Sequence, residues 1–280
     1  MKKIIAANYK MMGSEASLTT LISALNHSQH TVIICPPFPY LSVLKPLLEK
    51  QQFFLGAQNL CEAEKGAFTG EVSAAMLSDI GVRYVIVGHS ERRTLFHEDN
   101  DLVAKKFIHA IASGLIPILC VGETLAEREH GQTEAVIAAQ LDAVFSDNQP
   151  PRQATPATPP LEGNYLRRQD HNSPPEEGCP KGGVVDPAHF LIAYEPVWAI
   201  GTGKSASVDI AEAVHRFIRD YFKKKSFATL PPILYGGSVN AKNAADFFAS
   251  DLIDGALIGS ASLDAEQFNT MLSLVIPAQG

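Results

Sequence analysis

Long apolar runs are missing. Nowhere in the 280 residues do about 18 consecutive apolar positions occur, the length a membrane-spanning helix needs, so no membrane partner is expected. Positive charge is also short. Lysine and arginine number 23 against 30 acidic residues, a net charge of −7, which argues against a nucleic-acid partner. An anionic small molecule stays open on that balance, because a few cations focused in a cleft suffice. Cysteines are four (Cys35, Cys61, Cys120 and Cys179), none with C-x-x-C spacing. This pattern disfavours a disulfide framework or a zinc site and favours reduced thiols in the cytoplasm. The opening Met1-Lys2-Lys3-Ile4-Ile5-Ala6-Ala7 has the look of a signal peptide. Asn8 and Lys10 break it before the about 7–15 apolar residues of such a core are reached.

What is present is alternation. Hydrophobic residues make up 46% of the chain, enough for one large core. Short apolar runs predict strands near Ile4–Ala7, Val32–Cys35, Phe54–Ala57, Tyr84–Val87, Ile116–Cys120, Phe190–Tyr194, Ile233–Tyr235 and Ala256–Ile258. Amphipathic segments between them predict helices over Leu18–Leu25, Leu41–Glu49, Ala74–Leu77, Leu102–Ala112, Thr133–Val144, Ile210–Phe222, Ala244–Phe248 and Ala265–Leu272. Such alternation argues for parallel strands joined by helical crossovers. A closed eight-stranded α/β barrel spanning residues 1–280 is the expected fold, with a doubly wound open sheet as the rival. In a barrel the chemistry belongs at the carboxyl ends of the strands.

Those ends carry distinctive residues. The sixth strand runs into Glu195, then Pro196-Val197-Trp198-Ala199-Ile200-Gly201-Thr202-Gly203-Lys204. A carboxylate followed by a loop stiff at its root and apolar at its tip suits a base under a lid; the bland alternative is a surface glutamate in an ordinary connection. The first strand ends at Asn8-Tyr9-Lys10, where a lysine is placed to hold an anion, to form a Schiff base, or merely to face solvent. The fourth ends at Gly88-His89-Ser90-Glu91-Arg92-Arg93. Ser90 onward can begin a helical turn whose free N–H groups face the imidazole and disfavour its charged form. Cys120 reads as a buried packing cysteine. After the third strand comes a long connection, Gly56 to Ser73, where about 2–6 residues are usual. Gly-rich turns, Tyr235-Gly236-Gly237-Ser238-Val239 and Gly255 through Ser262, follow the last two strands and can bring backbone N–H groups close to an anion. From Ser146 to Pro187 the alternation vanishes, and eight of the 18 prolines fall between Pro150 and Pro180. That density predicts a disordered or loosely tethered insertion at about 147–186, at the amino end of strand six; a partner-binding segment is the alternative.

Taken in order, Asn8-Tyr9-Lys10, Gly66-Ala67-Phe68-Thr69-Gly70-Glu71, the His89 motif, the Glu195 segment and the two Gly-rich turns resemble the triosephosphate isomerase family over the whole chain except the insertion. The resemblance implies a (β/α)8 TIM barrel and a small phosphorylated three-carbon substrate, dihydroxyacetone phosphate or D-glyceraldehyde 3-phosphate, with neither metal nor organic cofactor. It implies Glu195 as the proton-abstracting base, His89 as the electrophile, and Lys10 and Asn8 as stabilisers of the enediolate. A neutral histidine electrophile is an established property of that family. Gly201, Ser238, Gly259 and Ser260 are implied as phosphate donors. Ser90 touches the idle base, Glu91 pairs with Lys10, and Ile200 and Leu257 clamp the base. Thr69 is implied as a contact across a homodimer. The family usually has tryptophan at Tyr9, asparagine at Met12 and glycine at Ser260. Two other readings stay open: another phosphosugar barrel enzyme, such as a Schiff-base aldolase using Lys10, and a non-catalytic dimeric scaffold.

Overall fold

A computed structural model describes residues 2–145, 190–200, 206–227 and 229–275. The expected insertion at 147–186 lies wholly outside them. Eight strands form one closed parallel sheet in sequential order. They are β1 (Ile4–Asn8), β2 (Thr31–Cys35), β3 (Phe54–Ala57), β4 (Tyr84–Val87), β5 (Ile116–Val121), β6 (Leu191–Tyr194), β7 (Ile233–Tyr235) and β8 (Gly255–Ile258). Closure is made by β1, whose Ile4 faces Thr31 of β2 on one side and Gly255 of β8 on the other. The open doubly wound sheet is thereby ruled out.

Side chains alternate across the sheet, as the strand period of two requires. Ala6, Ile33, Cys35, Ile86, Ile118, Cys120, Ala193, Leu234 and Leu257 fill the barrel. Their neighbours Ile5, Ala7, Val32, Ile34, Val85, Val87, Leu119, Ile192 and Tyr194 face outward into the helical layer. That layer holds, among the described residues, α1 (Glu15–Ser23), α2 (Leu41–Lys50), α3 (Ala74–Asp79), α4 (Ser90–Leu95), α5 (Asn100–Ala112), α6 (Leu125–Glu129), α7 (Thr133–Phe145), α8 (Val208–Lys224), α9 (Ala244–Ala249) and α10 (Ala265–Leu272). The chain thus places two helices after β4 and two after β5. The extra ones are short and begin at capping residues: the His89 imidazole caps α4, and a Thr124–Glu127 capping box starts α6.

Either side of the undescribed stretch, Phe145 ends α7 and Phe190 precedes β6. Their rings lie 5.2 Å apart, centroid to centroid. Phe107, Phe222 and Phe227 surround them at 5.0–6.3 Å spacings. This aromatic cluster locks the amino end of β6, so the carboxyl end of the same strand presents Glu195 from a fixed base.

Candidate active site

Lys10 stands just past β1 in the left-handed region, φ 51°, which is uncommon for a residue with a Cβ. Two side chains hold it there. Asn8 Oδ1 accepts from the Lys10 N–H at 3.0 Å, and Gln58 Nε2 donates to the Lys10 carbonyl at 2.8 Å. Its ammonium group meets Glu91 Oε1 at 2.5 Å. With Oδ1 committed to the backbone, Asn8 has its Nδ2 left as a donor.

β4 delivers His89. Its Nδ1 accepts from the Glu91 N–H at 3.2 Å, so the ring proton sits on Nε2. The Nε2 of His89 lies 3.0 Å from Glu195 Oε1, and with that tautomer the contact is a hydrogen bond from a neutral ring to a carboxylate. The other Glu195 oxygen, Oε2, accepts from the Ser90 N–H at 2.8 Å. Both oxygens of the carboxylate therefore have donors, and Glu195 is 2% exposed, His89 6%. Behind the pair lies the buried Cys120 thiol, whose pKa is pushed well above its usual value by burial and by the neighbouring carboxylate. It is held as a thiol and packs. Arg93 joins the two strand ends from below, donating to the carbonyls of Gly88 at 2.8 Å and Cys120 at 3.3 Å and to Asn100 Oδ1 at 2.7 Å.

Space for the Glu195 side chain depends on Gly236, where a Cβ would stand 2.8 Å from Glu195 Cγ. The described residues on either side of 201–205 are tied down. Trp198 Nε1 donates to Glu123 Oε1 at 3.0 Å, and Tyr194 and Arg128 bond to the same oxygen. Ser238 Oγ donates to the Ala199 carbonyl at 2.7 Å, and Tyr235 Oη accepts from the Ala206 N–H at 3.1 Å. Gly201, expected as a phosphate donor, lies outside the described residues.

One cavity of about 710 Å³ opens at the carboxyl ends of the strands, within the size range of small-molecule sites. Asn8, Lys10, His89, Glu195, Ile200, Ser238, Leu257, Gly259 and Ser260 all line it. Ser260 begins a short 3-10 turn ending at Leu263 and is not among the residues with positive φ. Thr69 is exposed on the connection after β3 and does not line the cavity. Among the described residues, no cluster of three metal-ligating side chains occurs.

Several contributors escape a reading of the sequence. Gln58 bridges Lys10 and the Cys35 carbonyl. A buried network, in which Glu98 Oε1 accepts from Arg92 Nε and Lys106 Nζ, each at 2.5 Å, anchors α4 to α5. Asn240, Ala261 and Gln267 extend the cavity wall beyond the two Gly-rich turns. The partners of Gln58 are remote in sequence, and nothing local in the chain marks them.

A sequence model of a family described as triosephosphate isomerase matches residues 3–158 and 178–275. A protein named triosephosphate isomerase from Thiobacillus denitrificans is 46% identical over 271 residues, 95% of this chain and 96% of the relative. One of the same name from Azoarcus sp. is 45% identical, again covering 95% and 96%. Another from Colwellia psychrerythraea is 43% identical with 96% of each chain covered.

Proposed function

The chain belongs to the triosephosphate isomerase family, and from that premise we propose the part each site residue plays. The reaction is the interconversion of dihydroxyacetone phosphate and D-glyceraldehyde 3-phosphate. Glu195 removes a proton from the carbon beside the carbonyl and returns it to the neighbouring carbon. The Nε2–H of His89, bonded to Glu195 at rest, turns to the substrate carbonyl oxygen as electrophile. Lys10 and the free Nδ2 of Asn8 stabilise the negative charge of the enediolate. Donors fixed in advance are worth most in a dry site. Dryness is the task of the segment 200–206, closing over a phosphate held by Gly201, Ser238, Gly259 and Ser260, with Ile200 and Leu257 against the base.

The observation that carries this reading is the His89–Glu195 hydrogen bond at 3.0 Å beside a lysine in the same cavity. The Schiff-base reading fits less well, because a nucleophilic lysine must be neutral, and Lys10 is ion-paired to Glu91 at 2.5 Å. A coupled assay with D-glyceraldehyde 3-phosphate tests both. Glu195→Asp retracts the carboxylate by one methylene and should lower kcat by about 100-fold or more with little change in KM. Borohydride added with substrate should trap no adduct on Lys10; a trapped adduct would favour the aldolase.

We also propose a homodimer formed through the loop around Thr69. Phe68, Met11, Leu95 and Phe96 are exposed apolar residues on the loops after β1 and β3 and at the end of α4. A cytoplasmic setting is supported by Cys35, Cys61 and Cys120, which are free and buried.

A further inference from the structure

Gly122 follows the last residue of β5 and carries no side chain for a physical reason: a Cβ there would lie 1.8 Å from the Glu195 carbonyl oxygen. The backbones of residues 122 and 195 are therefore in direct contact. On either side of that contact, the Glu195 N–H donates to the Val121 carbonyl at 2.8 Å and the Val197 N–H to the Glu123 carbonyl at 3.1 Å. The segment 121–123 is the rail on which Glu195 and the root of the lid are laid.

Gln140 grips the middle of this rail from outside. It lies on the inner side of α7, three residues after the buried Ile137 and one before the buried Leu141. Its Oε1 accepts from the Gly122 N–H at 2.8 Å, and its Nε2 donates to the Gly122 carbonyl at 3.0 Å. A backbone N–H can only donate and a carbonyl only accept, so both partners fix the orientation of the amide. We propose that Gln140 is a positioning residue for the isomerisation: its two-point clamp on Gly122 sets where Glu195 and Trp198 sit. The inference rests on the assignment of Glu195 as the base.

A clamp of this kind acts on the alignment of the base and leaves the phosphate contacts of the β7 and β8 turns alone. Gln140→Met keeps the length of the side chain and removes both hydrogen bonds. It should lower kcat about tenfold or more while KM stays within about twofold, because misalignment is felt in the transition state. Trp198 is the only tryptophan, so its emission reports the segment after Glu195 directly. The change in that emission on adding glycerol 3-phosphate, an analogue lacking the carbonyl, should differ from wild type. Gln140→Glu supplies a second test. Its carboxylate opposes the Gly122 carbonyl, whereas its protonated form donates as the amide does, so its activity relative to wild type should rise as pH falls. A stability control on the same helix, Ile137→Val, should leave kcat and the Trp198 response unchanged.

A folded Gln140→Met protein with wild-type kcat and a wild-type Trp198 response would overturn the proposal. If that variant does not fold, Gln140→Glu decides: a ratio to wild type that is flat with pH overturns it too. Failure of the underlying assignment looks different, since Glu195→Ala would then keep wild-type activity. A dead Glu195→Ala beside a normal Gln140→Met removes the clamp alone.

Discussion

Ser260 stands where the family resemblance leads one to expect glycine, in the last turn proposed to hold the phosphate. Its Cβ would matter only if the turn needed positive φ, and Ser260 is not among the residues that have it. The backbone N–H is retained, and Ser260 lines the cavity. Ser260→Gly should therefore change kcat/KM by less than about tenfold, or about 1.4 kcal/mol in transition-state energy. Ser260→Asp should remove most phosphate affinity through like-charge repulsion. Steady-state kinetics and inorganic phosphate inhibition measure both. A hundredfold gain in Ser260→Gly would mean that the serine strains the turn; normal phosphate inhibition in Ser260→Asp would move the phosphate elsewhere. Lys10 shows the opposite arrangement. It does occupy the left-handed region, and Asn8 and Gln58 hold it there, so the strain sits under the residue assigned to the developing charge.

Among the elements, α8 carries a built-in pH dependence. His215 is fully buried; its Nδ1–H donates to the Leu252 carbonyl at 3.1 Å, and its Nε2 has no partner. Burial pulls its pKa down to about 3. An unfolded chain takes up that proton near pH 6.5 while the folded protein refuses it, so stability falls as pH drops below about 6.5 and continues to fall toward 3. His30 acts in the same direction, its pKa lowered chiefly by burial. Between pH 7.5 and 5, His215 alone should cost about 2 kcal/mol. Urea unfolding at the two pH values checks this, and His215→Leu should flatten the slope; an unchanged slope would contradict it. The elements themselves were largely legible. β3, β4, β7 and α10 fall where apolar runs and periodicity place them. The strand at Phe190 begins one residue later, because Phe190 points into the aromatic cluster instead of pairing. The short α4 and α6 lack a full hydrophobic stripe and are marked only by their caps. The ends of the strands named the cavity residues, but the clamps that hold them, Gln58 and Gln140, depend on contacts that only closure of the barrel creates.

For the whole molecule, assembly and the proline-rich stretch pose separate questions. If the loop around Thr69 docks into a second copy, Thr69→Arg should give a weakened dimer or a monomer with poor activity in sedimentation and kinetic assays. A fully active dimer would contradict the interface. Deleting Pro150 to Pro180 across a short Gly linker should leave kcat/KM nearly unchanged. The flanking Phe145 and Phe190 rings are already 5.2 Å apart, so the gap is closed from both sides. They also lie at the amino end of β6, opposite the strand ends that line the cavity. A collapse of kcat/KM in a folded deletion protein would place that stretch at the active site.

The central claim is that Glu195 carries the proton. The most direct measurement follows deuterium uptake from D2O into the carbon beside the carbonyl of dihydroxyacetone phosphate, in wild type and in Glu195→Ala, with glycerol 3-phosphate binding measured alongside. Exchange in the wild type and a loss of about a thousandfold or more in Glu195→Ala, with binding retained, is the predicted result. Exchange in Glu195→Ala within about tenfold of wild type would show that another group removes the proton.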